Sequence, residues 1–203
     1  MRIFLAMMVA LGLHLAPLLA QGVPQLYDVT GVAAGDVLNI RAAPSAQAQI
    51  IGALERDARA VEVVATNPSG TWGQVNTGEA AGWVSLRYMV ARGVMLDHQN
   101  LPVGLRCFGT EPFWSLTPID GAVRYQTPAE PARDLALWRV TGGAIAGDLR
   151  RILRFAGLDG PGVAFVYPAA CSDGMSDRAY GLSISAMMGL DRPMLSGCCS
   201  LTR

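Results

Sequence analysis

The sequence contains no lysine and only two histidines, His14 and His98. All 16 basic residues are therefore arginines, and 16 acidic residues balance them. Without a net charge or a basic run, the chain lacks the electrostatic features of proteins that bind nucleic acid or anionic membrane surfaces. We therefore expect no nucleic-acid partner and, beyond an N-terminal export signal, no membrane contact.

Charged residues are also scarce, at 16% of the chain, whereas apolar residues make up 51%. Glycine and proline are plentiful, with 23 and 12 residues, which favours short strands and turns over long helices. Internal repeats and low-complexity tracts are absent. A chain of 203 residues is long enough for one to two domains with their own cores.

Long apolar runs are absent beyond the N-terminus. There, Arg2 precedes an apolar stretch from Ile3 to Leu13, and Ala20 and Gly22 offer small residues for cleavage. This pattern predicts a signal peptide at residues 1–22, and therefore a periplasmic or secreted protein. The alternative is an uncleaved anchor, although the apolar stretch is short for a bilayer. Removing the segment would leave 15 arginines against 16 acids, a net charge of −1.

Residues 23–91 show short strand patterns separated by turn residues. In Val37–Arg41 apolar and polar side chains alternate, and Pro44 then ends the strand. Further strand patterns cover Ile50–Leu54, Ala60–Val64, Trp72–Val75 and Trp83–Leu86. Trp72 and Val75 have opposite parity, so one of them faces solvent unless a bulge intervenes. We predict a small all-β domain.

The most specific motifs of this half are Leu38-Asn-Ile-Arg-Ala-Ala-Pro-Ser45, Ile50-Ile-Gly52, Trp72, Gly82-Trp-Val84 and Tyr88-Met89. In this order they resemble the bacterial SH3-like domain, over residues 27–91. The resemblance implies a small, strongly bent β-barrel. It also implies a module of extracytoplasmic proteins that often binds cell-wall peptides beside an enzyme.

Five residues of this domain are candidates for ligand contact. Trp72, Trp83, Tyr88 and Tyr27 would line a shallow aromatic groove, and Arg41 would bind a carboxylate in it. The alternative is that Trp83 and Tyr88 are core residues and that Arg41 is a solvated strand residue. We expect the partner to be a cell-wall peptide or an envelope protein.

Residues 92–104 are predicted to be a linker, because Pro102 and Gly104 interrupt regular structure. Strand patterns then recur at residues 105–108, 123–125, 137–140, 163–167, 182–185 and 194–196. Residues 148–155 are ambiguous, since their apolar positions fit either a helix face or a strand. We predict that residues 105–203 form a second antiparallel β domain, either a barrel or a sandwich.

All four cysteines lie in this second domain. They belong to three short motifs, which are Cys107-Phe-Gly-Thr-Glu-Pro-Phe-Trp114, Cys171-Ser-Asp-Gly-Met-Ser-Asp177 and Gly197-Cys-Cys199. The three motifs resemble those of a family of exported bacterial proteins that carry them in the same order. No activity comes with this resemblance.

The spacing of the cysteines predicts two disulfides, in which Cys107 and Cys171 each join one of Cys198 and Cys199. A bond between the adjacent cysteines would be strained, whereas neighbours in a strand point to opposite faces and reach separate partners. Parity leaves the choice of partner open. One disulfide with two buried thiols is the alternative.

The cysteines and the histidine do not form a recognisable catalytic or metal-binding set. A papain-like peptidase needs a cysteine beside a histidine, but His98 precedes every cysteine and lies in the linker. A cysteine-only zinc site would need Cys198 and Cys199 as adjacent ligands. We therefore expect no metal, no cofactor and no peptidase activity.

Three carboxylates, Glu111, Asp173 and Asp177, lie within the motifs. A hydrolase of cell-wall glycan that uses them as acid and base is one alternative. In the structural interpretation Asp173 begins a turn, Asp177 caps local backbone and Glu111 pairs with an arginine. Phe113 and Trp114 are predicted to be core aromatics. We expect an exported, non-catalytic envelope protein; a purely structural interaction protein is the other alternative.

Overall fold

A computed structural model describes residues 23–201 of the protein. Within this range the regular structure is all β-strand, apart from one 3₁₀ turn at Leu86–Tyr88. The all-β prediction is therefore confirmed. The predicted signal peptide, residues 1–22, lies outside the described residues. Among the described residues, no helix has the length and apolarity needed to cross a membrane.

The N-terminal domain contains eight strands arranged in two small sheets. The strands are β1 (Gln25–Val29), β2 (Val37–Arg41), β3 (Ile50–Glu55), β4 (Val61–Val63), β5 (Ala65–Thr66), β6 (Trp72–Thr77), β7 (Ala80–Ser85) and β8 (Met89–Ala91). One sheet has the order β4-β1-β8 and the other β3-β2-β7-β6-β5. All neighbouring strands in both sheets are antiparallel.

The parity conflict between Trp72 and Val75 is resolved without a bulge. β6 and β7 pair in an unbroken register from Trp72 opposite Ser85 to Thr77 opposite Ala80. Val75 is 1% exposed and packs in the core with Leu38, whereas Trp72 is only half-buried. The indole therefore lies on the outer face of the sheet.

The second domain is an eight-stranded closed barrel, which decides between the predicted barrel and sandwich. Its strands are β9 (Arg106–Thr110), β10 (Phe113–Ile119), β11 (Ala122–Gln126), β12 (Arg133–Gly142), β13 (Arg151–Ala156), β14 (Pro161–Cys171), β15 (Tyr180–Met187) and β16 (Leu195–Ser200). Each strand pairs antiparallel with the next, and β16 returns to pair with β9. The ambiguous residues 148–155 thus contribute strand β13.

The barrel core is filled by inward-facing side chains of alternating strand residues. Leu182 and Ile184 on β15 are at most 1% exposed, and Phe155 on β13 is fully buried. Trp114 is 3% exposed, so its predicted core position is correct. The same prediction for Phe113 is wrong: it is 51% exposed, because it precedes Trp114 on β10 and points to the opposite face.

The predicted linker packs against the barrel. Leu101 is fully buried in the barrel core. Next to it, the buried Arg151 donates from Nε to the carbonyl oxygen of Asn100 at 2.6 Å. Burial of Leu101 and the hydrogen bond from Arg151 therefore fix the junction to the second domain.

A second contact joins the domains through the loop between β14 and β15. The amide of Asp177 donates to the carbonyl of Glu79, and the amide of Ala81 donates to the carbonyl of Asp177, both at 2.9 Å. The Asn76 side chain accepts from the amide of Ala179 at 3.0 Å and donates to its carbonyl at 2.9 Å. The β6–β7 hairpin is thus bound to the barrel.

Candidate functional site

A cavity of about 480 Å³ lies on the N-terminal domain, and we call it the aromatic groove. Arg41, Trp72 and Tyr88, which the sequence singled out, line it together. Asp36 and Arg87, which the sequence analysis missed, line it as well. Arg87 could have been predicted from the sequence, because it directly precedes the candidate residue Tyr88.

The alternation of the sheet explains why these side chains meet outside the core. On β2, Leu38 and Ile40 are buried, so the intervening Asn39 and the following Arg41 face outward. Arg41 lies directly opposite Trp83 on β7 in the antiparallel register, so the two share this outer face. The predictions that Trp83 and Tyr27 line the groove are wrong: Trp83 is half-buried beside it, and Tyr27 is 4% exposed in the core of the domain.

The groove carries charge of both signs next to aromatic rings. Arg41 donates from Nη1 to the carbonyl of Ala48 at 2.7 Å, which fixes the guanidinium. The Arg87 guanidinium lies 4.9 Å from the ring centroid of Tyr88 and donates to its hydroxyl at 3.0 Å. Asp36 accepts from the amide of Val37 at 2.8 Å. Such a groove can bind a zwitterionic or carboxylate-bearing peptide.

Comparison with known families decides the identity of this domain. Residues 36–90 match the model of the bacterial SH3 domain family. The predicted resemblance is confirmed, and we refer to the N-terminal domain as the SH3 domain from here on. No curated protein and no solved structure matches the chain.

The barrel beside the SH3 domain is held by two disulfides, as predicted. Cys107 joins Cys199, and Cys171 joins Cys198, which resolves the pairing that sequence parity left open. Cys107 and Cys199 belong to the barrel core. Cys198 faces the other side of β16, where it lines an outer cavity with Cys171. The adjacent residues Cys198 and Cys199 therefore form disulfides on opposite faces of β16.

Two glycines of the motifs make room for one indole. A Cβ at Gly109 would collide with Nε1 of Trp114, and a Cβ at Gly197 would collide with the carbonyl of Phe108 and press against the same indole. Trp114 Nε1 is buried without a hydrogen-bond partner. The first and third motifs thus have a shared structural role around Trp114.

Asp173 organises the loop of the second motif. Its Oδ1 accepts from the amides of Met175 at 3.0 Å and Ser176 at 2.9 Å. Its Oδ2 accepts from the hydroxyls of Ser176 at 2.8 Å and Tyr180 at 3.3 Å. Burial raises the pKa of Asp173, but these hydrogen bonds outweigh it and leave the pKa below its ordinary value. Asp173 is therefore an ionised structural acceptor.

The other two predicted carboxylates behave differently. The prediction that Asp177 caps backbone is wrong, because Asp177 acts through its own amide and carbonyl at the hairpin. Glu111 is exposed, and within residues 23–201 no arginine forms an ion pair with it, contrary to the prediction. Glu111 and Asp173 line one cavity, whereas Asp177 lies outside it.

The remaining histidine is placed on the surface. His98 Nε2 lies 3.1 Å from an oxygen of Asp120, with both side chains mostly exposed. In the described part of the chain, no group of three or more His, Cys, Asp and Glu side chains is arranged to hold a metal ion.

A buried carboxyl lies where the SH3 domain meets the barrel. Glu62 is 6% exposed and lines an interdomain cavity of about 580 Å³ with Phe108, Tyr180 and Ser200. Burial raises the pKa of Glu62 to about 7, with a hydrogen bond from the backbone of Leu201 acting in the opposite direction. Its Oε1 has no hydrogen-bond partner. This site is not visible in the sequence, because it forms only when the end of the barrel covers β4.

Proposed function

We propose that the protein is an exported, non-catalytic envelope protein whose SH3 domain binds cell-wall peptides in the aromatic groove. The observation that carries the proposal is the convergence of Arg41, Trp72 and Tyr88 on one cavity of a domain that matches the bacterial SH3 family. Domains of this family often bind the cell wall.

The chemistry of the groove suits a short peptide with free charged groups. Arg41 and Arg87 offer guanidinium donors for a peptide carboxylate, which is the stronger class of hydrogen bond. Asp36 offers an acceptor for a peptide amine. Trp72 and Tyr88 supply apolar faces for the intervening chain.

Two features support export. The two disulfides are consistent with residence outside the cytoplasm, where such bonds form and persist. The N-terminal pattern of residues 1–22 predicts a signal peptide. We therefore assign the mature protein to the periplasm or to secretion.

Two further features support a non-catalytic role. All four cysteines are engaged in disulfides, so none of them is a thiolate nucleophile. A glycan hydrolase needs one carboxylic acid and one ionised carboxylate that is free to act as base or nucleophile. Both oxygens of Asp173 instead accept hydrogen bonds from its own loop and from Tyr180, so Asp173 is a poor partner for Glu111 in that role.

Sedimentation with intact sacculi tests the proposal, using the mature chain of residues 23–203. We expect a larger fraction of the wild type than of Trp72→Ala or Arg41→Gln to pellet with intact sacculi. Trp138→Ala is the matched control, since this indole is 57% exposed on the barrel. With sacculi stripped of their peptides, the wild type and Trp72→Ala should sediment to the same extent.

Equal retention of the wild type and Trp72→Ala would refute peptide binding in the groove. Release of new reducing ends or amino termini from sacculi by the wild type would refute the non-catalytic role. A hydrolase that depends on Glu111 would lose such release in Glu111→Gln.

A further inference from the structure

A second groove lies on the outer face of the barrel, and its floor consists of small hydroxyl side chains. On β15, Leu182 and Ile184 point into the core, so Ser183 and Ser185 point outward. Ser185 lies directly opposite Ser196 on β16, and directly opposite residues share a face. We call the cavity above these three residues the serine groove.

An aromatic wall borders the floor on one side. Tyr167 lies opposite Ser183, and Phe165 lies opposite Ser185, so both rings stand on the same outer face of β14. The two rings stack at 5.0 Å between centroids with an interplanar angle of 24°. Tyr167 lines the groove directly.

The loop of the second motif forms another part of the wall. The Cys171–Cys198 disulfide and Met175 line the groove, and the hydrogen bonds to Asp173 fix the loop that carries Met175. The cavity has a volume of about 440 Å³. Sites for small ligands commonly measure about 300–1,000 Å³.

The charges of the groove exclude one class of ligand. Among the described residues that line it, the charged ones are Glu111 and Asp173, and none is an arginine. Anionic ligands such as phosphates or peptide carboxylates would therefore be repelled. The same absence of arginine distinguishes the serine groove from the aromatic groove of the SH3 domain.

The closure of the barrel excludes a second mode of binding. Strands β14 and β15 are paired on both sides along the floor, and β16 lies between β15 and β9, so the closed barrel presents no outer strand edge there. An extended peptide cannot add to it as a further strand. Recognition must rely on side chains, which are hydroxyls on the floor and the ring of Tyr167 on the wall.

We propose that the serine groove binds a neutral sugar ring of a glycan. The edge of a sugar ring carries hydroxyls that donate and accept, as do the hydroxyls of Ser183, Ser185 and Ser196. Its face carries C–H groups with partial positive charge, which pack on the electron-rich face of an aromatic ring such as Tyr167. Residues of all three motifs line the groove beside these serines, and the proposal does not depend on peptide binding by the SH3 domain.

Chemical-shift titration of the mature chain, residues 23–203, tests this proposal. The probes are chitotetraose, a neutral tetramer of N-acetylglucosamine, and cellotetraose, a neutral tetramer of glucose. We expect saturable shifts of the amides of Ser183 and Ser185 with at least one of them. Tyr167→Ala should weaken that affinity about tenfold, since it removes the stacking face.

Ser196→Phe is a second variant, which fills the groove at an exposed position and should abolish the shifts. Trp138→Ala and Trp72→Ala are controls that should bind the sugar as the wild type does. The Trp72→Ala control also separates this site from the SH3 groove. The proposal fails if neither tetramer shifts these amides, if Tyr167→Ala binds unchanged, or if trilysine alone shifts them.

Discussion

Cys199 lies directly opposite Cys107 at the seam where the last strand of the barrel pairs with the first, and a disulfide joins them. The register of β16 against β9 spans only three pairs of residues. The bond therefore closes the barrel covalently at its shortest ladder. It also joins residues 92 positions apart in the sequence, whereas Cys171 and Cys198 are 27 apart.

Replacing both members of each disulfide by serine should destabilise the barrel unequally. Each loss should cost about 2–5 kcal/mol of unfolding free energy. If disulfides act by lowering the entropy of the unfolded chain, the bond that closes the longer loop contributes about 1 kcal/mol more to the free energy of unfolding. Cys107→Ser/Cys199→Ser should therefore be the less stable of the two double variants. Urea unfolding of both double variants measures the difference. Greater destabilisation by Cys171→Ser/Cys198→Ser would contradict it.

Gly109→Ala should destabilise the protein by about 1–3 kcal/mol, because its methyl group would collide with the indole of Trp114. Combining it with Trp114→Phe should reduce that cost, since the smaller ring lacks the colliding nitrogen. Thermal unfolding of the single and double variants measures this coupling. Ser196→Ala, an exposed neighbour, is the control. Simple additivity of the two substitutions would count against the shared role.

Glu62→Gln should change how stability depends on pH. Burial raises the folded pKa from 4.5 to about 7, so between these values the unfolded chain ionises first and wild-type stability falls as pH rises. Below this window the carboxyl is protonated in both states and the loss is absent. Raising the pH from 4.5 to 8 should therefore increase the free energy of unfolding of Glu62→Gln, relative to that of the wild type, by up to about 3 kcal/mol. Urea unfolding at a series of pH values measures this difference. If the stability of the wild type and of Glu62→Gln depends on pH in the same way, the raised pKa of Glu62 is contradicted.

Asp173→Ala should loosen the loop between β14 and β15 and its contact with the SH3 domain. The substitution leaves the amides of Met175 and Ser176 without their acceptor, which costs roughly 1–3 kcal/mol locally. Hydrogen exchange of these amides, and of Ala81 across the interface, should therefore become about tenfold faster or more. Asp177→Asn is the control, because residue 177 contacts the SH3 domain through its backbone alone. The same amides should exchange in this variant at the wild-type rate.

The alternation of strand residues made much of the fold predictable. Leu38 and Ile40 face inward as the pattern indicates, and the opposite parity of Cys198 and Cys199 predicted separate disulfide partners. Phe113 was misplaced because the first residue of a strand has no preceding alternation that fixes its face. At residues 148–155 the choice between helix and strand depends on pairing with β12 and β14. A pattern within these eight residues does not contain that pairing.

The sites were predictable only in part, because they combine residues from strands that become neighbours only in the folded sheets. Arg41, Trp72 and Tyr88 were found because aromatic and cationic residues stand out in a sequence. Ser183 and Ser185 are unremarkable in the sequence and form a floor only once β16 lies beside β15. Glu62 alternates with valines as a solvated residue would, and its burial depends on the other domain.

The seam disulfide also has a consequence for cleavage of the chain. Residues 107 to 199 form a covalent ring that contains every hairpin loop of the barrel. A protease that cuts any one of these loops leaves two fragments joined at Cys107 and Cys199. The cut barrel thus resembles a circular permutant, with new chain ends at the cut and the old ends joined by the disulfide. A single cut should therefore release no fragment until the Cys107–Cys199 bond is reduced.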